Sequence, residues 1–138
     1  MISYGKQSIN NQDIEAVVDV LKSDFLTQGP CSNEFEQCVS KYVGAEYGVA
    51  VNSATSALHI ACMALNVEKG DWVWTTPISF VATSNAALYC GADVDFVDID
   101  PLTFNMSTQA LEEKLELHSD KNLPLPKIII PVHMAGQS

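Results

Sequence analysis

The sequence predicts an α/β fold, a three-layer α/β/α arrangement around a mostly parallel sheet, and three observations predict it. From residue 47 onward, short apolar runs alternate with helix-period runs: YGVAV then SATSALHIACMAL, DWVWTT then SFVATSNAALYC, DVDFVDID then STQALEEKLELH, and last KIIIPV. That alternation implies crossover units and parallel strands covered on both faces. The chain has 138 residues and is 47% hydrophobic, enough for one domain with a real core. No linker, low-complexity tract or convincing internal repeat divides it.

In order, residues 10–25 place Ile14, Val17, Val18, Leu21 and Phe25 at amphipathic-helix spacing. LTQGP, Leu26 to Pro30, breaks that helix with Gly and Pro. Ser32 is the expected N-cap of a second helix with Phe35, Cys38, Val39 and Tyr42 on one face, and Gly44 suits its C-terminal end. Trp72 and Trp74 bracket Val73 in the second expected strand and should pack against neighbouring layers. Asp93, Asp95, Asp98 and Asp100 alternate with apolar residues up to Pro101, which reads as a strand edge and its terminal turn rather than a metal site. Lys127 to Pro131 reads as a fully buried strand followed by only VHMAGQS. A buried strand needs cover, so residues 1–138 are expected to be the front part of a larger domain.

Charge and composition exclude several functions. The net charge is −10, and all seven basic residues are lysine. Nucleic acid and anionic membrane surfaces call for basic patches, so neither is an expected partner. No apolar run approaches the roughly 18–20 residues that span a bilayer. MISYGKQSINNQD lacks the features of a secretion signal, and a cytoplasmic location fits. The four cysteines are dispersed, with Cys38 and Cys62 on apolar helix faces, and read as reduced core thiols. His59, His118 and His133 are too scattered for a structural zinc site; His59 suits a core or half-exposed helix position, and His118 a helix C-terminus.

The informative stretch is VNSATSALH. An apolar run stops at Asn52, four small residues follow, and a helix begins. A helix start leaves amides unpaired and carries about half an elementary charge, which makes it a ready phosphate site. Ser53, Thr55 and Ser56 add hydroxyls, and small residues admit an anion to the backbone. The plainer reading is an N-cap on a tightly packed helix, for which Ser and Thr are commonplace. In TTPISFVATSNAAL, Phe80 stands where the next segment leaves the sheet. A ring beside a phosphate-binding helix start suits a flat phosphorylated cofactor, whereas a lone Phe there is otherwise a core residue.

NSATSALH, TTPISFVATSNAAL with GADVDFVDID, and PVHMAG together resemble the N-terminal part of the DegT/DnrJ/EryC1/StrS aminotransferases. The likeness runs in order from Tyr4 to Ser138. It implies the N-terminal portion of the large domain of a fold-type-I pyridoxal 5'-phosphate enzyme, one that aminates a nucleotide-linked keto-deoxysugar using an amino-acid donor, glutamate being the expected one. LTQG, NSATSAL and TTPISFVAT carry a finer likeness to enzymes that aminate a UDP-linked 4-keto-6-deoxy sugar on the route to pseudaminic acid. By resemblance, Ala54 and Thr55, with Ser53 and Ser56 beside them, hold the cofactor phosphate, and Phe80 stacks on the pyridine. Tyr4, Asp24, Phe25, Leu26, Thr27 and His133 match places that meet the nucleotide-sugar; Asp24 departs from the family's more basic version. The family also implies a homodimer with its active site at the subunit interface. The absence of arginine is compatible, since a keto-sugar has no carboxylate at its reacting end.

The resemblance further implies a Schiff-base lysine and an acid against the pyridine nitrogen, both beyond Ser138. Lys6, Lys22, Lys41, Lys69, Lys114 and Lys121 read as solvated surface charges, and Lys127 flanks its strand at the opposite end of the sheet. No catalytic residue is therefore expected within the chain, which should not transaminate alone. Other readings are a sugar dehydratase of the same family, with histidine in place of that lysine, and a truncated, non-catalytic product. A Rossmann domain lacks support, because no GxGxxG follows a strand.

Overall fold

The computed structural model describes residues 5–138. Two compact units are distinguished, Met1–Ala50, described from residue 5, and Val51–Ser138.

The first unit holds α1 (Asn11–Lys22) and α2 (Pro30–Val43). Asn10 caps α1 in a reciprocal box: its Oδ1 accepts from the Gln12 and Asp13 amides, and the Asp13 carboxylate accepts from its own N–H. The helix stops at Lys22 rather than near Phe25, because Ser23 turns extended and its hydroxyl donates to Val20 O at 2.7 Å. Helix α2 starts earlier than Ser32 suggests. Pro30 takes its first position, where a missing N–H costs nothing, and Gly29 is the N-cap. Gly44 closes it at φ 72°, a left-handed backbone that glycine adopts without strain. Ile14, Val17 and Leu21 on α1 and Phe35 and Val39 on α2 are exposed, and so is Cys38, contrary to its expected burial.

The expected strand at residues 47–51 does not form. A strand requires a ladder, and among the described residues no neighbour pairs with it. Among the described residues its one hydrogen bond runs to α2: the Ala50 amide donates to the Glu36 carboxylate at 2.8 Å. Gly48 allows that approach, since a Cβ there would meet Glu36 O at 2.8 Å.

The second unit is layered. It contains α3 (Ala54–Ala64), β1 (Trp72–Thr75), α4 (Ala82–Tyr89), β2 (Asp93–Phe96), α5 (Thr108–Asp120) and β3 (Ile128–Ile130). The strands are all parallel, in the order β2-β1-β3, with Trp74 opposite Asp95 and Ile129. Strand alternation then assigns the faces. Val73, Val94, Ile128 and Ile130 join Cys62, Ala86 and Ala87 in the core beneath α3 and α4. Trp74 and Asp95 face the other way, toward α5. The fold is thus the expected α/β/α sandwich, with three strands in place of four. Strand β3 is half-buried rather than fully buried.

The α5 face accounts for Asp95, one of the acidic residues in the alternation. Lys114 on α5 pairs with Asp95 at 2.6 Å, donates to Phe96 O at 2.6 Å, and lies 4.6 Å from the Trp74 ring centroid. His118 meets the same indole edge-on at 4.8 Å. Lys114 is therefore not the solvated charge its helix position suggests. Lys127 is also engaged, with Asp71 at 2.7 Å and Asn66 O at 2.6 Å, at the amino end of the sheet.

Trp74 is 0% exposed, and its indole N–H finds no acceptor among the described residues. Trp74→Ala should cost about 3–5 kcal/mol in denaturant unfolding. Trp74→Phe should cost clearly less, because it also removes an unpaired buried donor.

Burial pushes the Asp95 carboxyl upward, but Lys114 and the Phe96 amide outweigh it and hold the group below the ordinary carboxylate range. The contribution of a depressed carboxyl is present above its unfolded value, about 3.9, and is lost as pH falls through the lower folded value. Melting temperature against pH should accordingly fall below about pH 4, and less steeply in Asp95→Asn.

Candidate functional site

Parallel strands send their chain exits to one edge, and in open α/β sheets ligands bind outside the carboxyl ends. At that edge β1 runs into Thr76–Val81, and β3 runs into Pro131, Val132 and His133. The Thr75 hydroxyl donates to Ile130 O at 2.8 Å and locks the two exits in register.

The β1 exit is pinned from within. Thr76 and Thr83 are buried, Ser79 Oγ lies 2.7 Å from Thr83 Oγ1, and Phe80 O accepts the Thr83 amide at 3.0 Å. Phe80 rides on this fixed turn and is 75% exposed. Among the described residues it is not packed as a core residue.

Ser53 is the N-cap of α3, and its hydroxyl accepts from the Ser56 amide at 3.2 Å. Ser56 Oγ donates to Asn52 Oδ1 at 2.8 Å, and Ser53 Oγ lies 3.3 Å from the same oxygen. The capping reading therefore holds, and it does not close the site. Asn52, Ser53 and Ala54 are exposed. Among the described residues, the amides of Ala54 and Thr55 and the hydroxyl of Thr55 have no hydrogen-bond partner. These donors suit a phosphate, and the exposed Phe80 ring, on the turn that leads into α4, suits a flat aromatic group. Helices α3 and α4 pack on each other, and the His59 and Tyr89 rings meet edge-on at 5.3 Å.

Asn52 was not among the residues that the sequence marks. An asparagine one residue ahead of a serine N-cap is the local signal that could have identified it. His133 is exposed and precedes the 3-10 turn Met134–Gly136. Asp24, Phe25, Leu26 and Thr27 belong to the first unit, all exposed in the α1–α2 connection. Phe25 and Leu26 help line a pocket of about 310 Å³ there with Val20, Gly29 and Pro30. Tyr4 lies outside the described residues.

The geometry has relatives. The sequence profile of the DegT/DnrJ/EryC1/StrS aminotransferase family matches residues 7–138. The UDP-4-amino-4,6-dideoxy-N-acetyl-beta-L-altrosamine transaminase of Campylobacter jejuni is 44% identical over 119 residues, covering 86% of this chain and 31% of its own length. PseC of Helicobacter pylori, described as an aminotransferase involved in pseudaminic acid biosynthesis, superposes with a TM-score of 0.84 at 34% identity, over 99% of this chain and 35% of that one. NtdA of Bacillus subtilis, solved with bound cofactor PMP, gives a TM-score of 0.77 at 34% identity, over 93% of this chain and 29% of that one. The chain thus spans about a third of the length of the relatives it matches.

If Ser53 carries the cap, Ser53→Ala should lower stability by about 1 kcal/mol and Ser53→Gly by only a few tenths. Chemical denaturation of the two variants checks this.

Proposed function

The chain belongs to the DegT/DnrJ/EryC1/StrS aminotransferase family, and on that premise we propose that it is the N-terminal portion of the cofactor-binding large domain of a sugar aminotransferase. The protein would pass an amino group from an amino acid, glutamate in our reading, to a nucleotide-linked keto-deoxysugar. A UDP-linked 4-keto-6-deoxy-N-acetylhexosamine is the substrate class favoured by the C. jejuni and H. pylori relatives. The single observation that carries this reading is the open start of α3, where the amides of Ala54 and Thr55 have no partner among the described residues, in the same unit as the exposed Phe80.

Those residues fit pyridoxal 5'-phosphate. The amides of Ala54 and Thr55 and the Thr55 hydroxyl would bind the phosphate, while Ser53, Ser56 and Asn52 hold the helix start in shape. The α3 dipole adds attraction that the net charge of −10 does not. Phe80 would cover one face of the pyridine and keep water from it. When bound, the cofactor supplies an electron sink that lets an amino group leave one carbon and join another. The lysine and the acid that the family uses for proton transfer and for the pyridine nitrogen lie, in this reading, outside the 138 residues, so residues 1–138 alone would be inactive. His133 at the β3 exit would meet the nucleotide-sugar, and the sequence resemblance alone assigns sugar-nucleotide contacts to Tyr4, Asp24, Phe25, Leu26 and Thr27.

We also propose a cytoplasmic homodimer. The exposed apolar residues of the first unit, Ile14, Val17, Leu21, Phe35 and Tyr42, support a protein-covered surface. No helix is long and apolar enough to cross a membrane among the described residues.

Binding and turnover test this separately. Pyridoxal phosphate should bind with a dissociation constant that Thr55→Val and Phe80→Ala each raise about tenfold, and inorganic phosphate should compete. The longer protein containing this chain should convert the UDP-linked keto-sugar to its amino sugar with glutamate. Binding unaffected by both substitutions would overturn the cofactor assignment. Water loss from the sugar with no amine formed would point to the dehydratase branch instead.

A further inference from the structure

A hydrogen-bonded crosslink at the carboxyl edge is not explained by the cofactor cradle. Asn105 lies in the connection between β2 and α5, and its side chain bonds at both ends to the segment after β3. Its Oδ1 accepts the Met134 amide at 2.8 Å, and its Nδ2 donates to Gln137 O at 3.0 Å. The orientation of the amide is forced, since Met134 N–H can only donate and Gln137 O can only accept. Among the twenty side chains, asparagine and glutamine carry an amide able to do both, and the shorter one fits this turn.

Strands β2 and β3 are not neighbours. Strand β1 lies between them, so the bond joins loops whose parent strands are about 10 Å apart. Asn105 can bridge that span because its own turn is stiff. Asp100 Oδ1 accepts from Leu102 and Thr103, the Asp100 amide donates to Asn105 O at 2.8 Å, and Phe104 adopts φ 61°. Among the described residues, the other backbone bonds of the target segment, Gly136 N to His133 O and Gln137 N to Met134 O, are internal to it, and Ala135 sits at φ 54°. Among the described residues, Asn105 supplies the hydrogen bonds that anchor residues 134–137 to the rest of the unit.

We infer that Asn105 is a positioning residue, which sets the backbone beside His133 and thereby aims that imidazole at the sugar-nucleotide. The inference rests on the sugar-aminotransferase reading for what His133 faces. The hydrogen-bonded crosslink itself does not depend on that reading. Removing both bonds frees residues 133–137 while leaving Ser53, Thr55 and Phe80 untouched, so substrate binding should suffer and cofactor binding should not.

Hydrogen exchange and steady-state kinetics on the longer protein test this, with a UDP-linked 4-keto-6-deoxy-N-acetylhexosamine as the probe. N105L should speed exchange of the Met134 amide about tenfold and raise KM for the sugar several-fold with kcat little changed. N105D keeps the acceptor and loses the donor. It should leave Met134 exchange near the wild-type rate and raise KM by less. In an H133A background, either substitution should add little further rise in KM, which a merely structural residue would not show. Should N105L fail to fold, N105D carries the same cycle. Unchanged Met134 exchange in N105L, unchanged KM, or a KM effect that persists in full without the imidazole would each overturn the proposal. A wild-type protein inactive on every keto-sugar tried overturns the reading beneath it before any variant is compared.

Discussion

Strand β1 has a neighbour on each side, and both pairings are parallel. That constraint organises the second unit. Parallel pairing sends every exit to one edge, and the register that places Trp74 opposite Asp95 decides which side chains meet which helix. Thr75 then fixes the β3 exit through Ile130 O. The turn that carries Phe80 and the segment that carries His133 are consequences of how one four-residue strand is paired.

The two faces of β1 serve different ends. Toward α3 and α4 it presents Val73 to a core of small residues, Ala86 and Ala87 at 0% exposure, which lets those helices pack closely. That packing supports the helix starts on which the proposed anion site depends. Toward α5 it presents an indole capped by Lys114 and His118, a contact that mixes apolar burial with charge. The absence of arginine is consistent with this division of labour. A phosphate held by amides at a helix start needs no guanidinium, and a strongly acidic chain can bind an anion where its local dipoles outweigh its general field.

What the sequence discloses follows the range of the interactions. The strand–helix alternation and the α3 start after Asn52 are local patterns, and they are legible. The exposure of Phe80 is not, since a lone Phe at a strand exit reads equally as core. The supposed strand at 47–51 shows the limit of an apolar run: a ladder needs a partner, and composition does not supply one. The boundaries of α1 and α2 turned on Ser23 and Pro30, single residues whose capping chemistry outweighed periodicity. The Asp95–Lys114 pair and the crosslink made by Asn105 span 19 and 29 residues of sequence and depend on register, so no window along the chain reveals them. Comparison with known proteins shows the family, while the roles of Ser53, Ala54, Thr55, Ser56, Phe80 and His133 rest on geometry and analogy.

The claim on which the functional account depends is that the start of α3 is an anion site roofed by Phe80. Amide chemical shifts recorded during titration with pyridoxamine 5'-phosphate test it most directly. The account predicts saturable shifts centred on the amides of Ala54, Thr55 and Ser56, accompanied by ring-proton shifts at Phe80, with inorganic phosphate moving the amides alone. Shifts centred elsewhere in the chain, with those three amides unmoved, would contradict it.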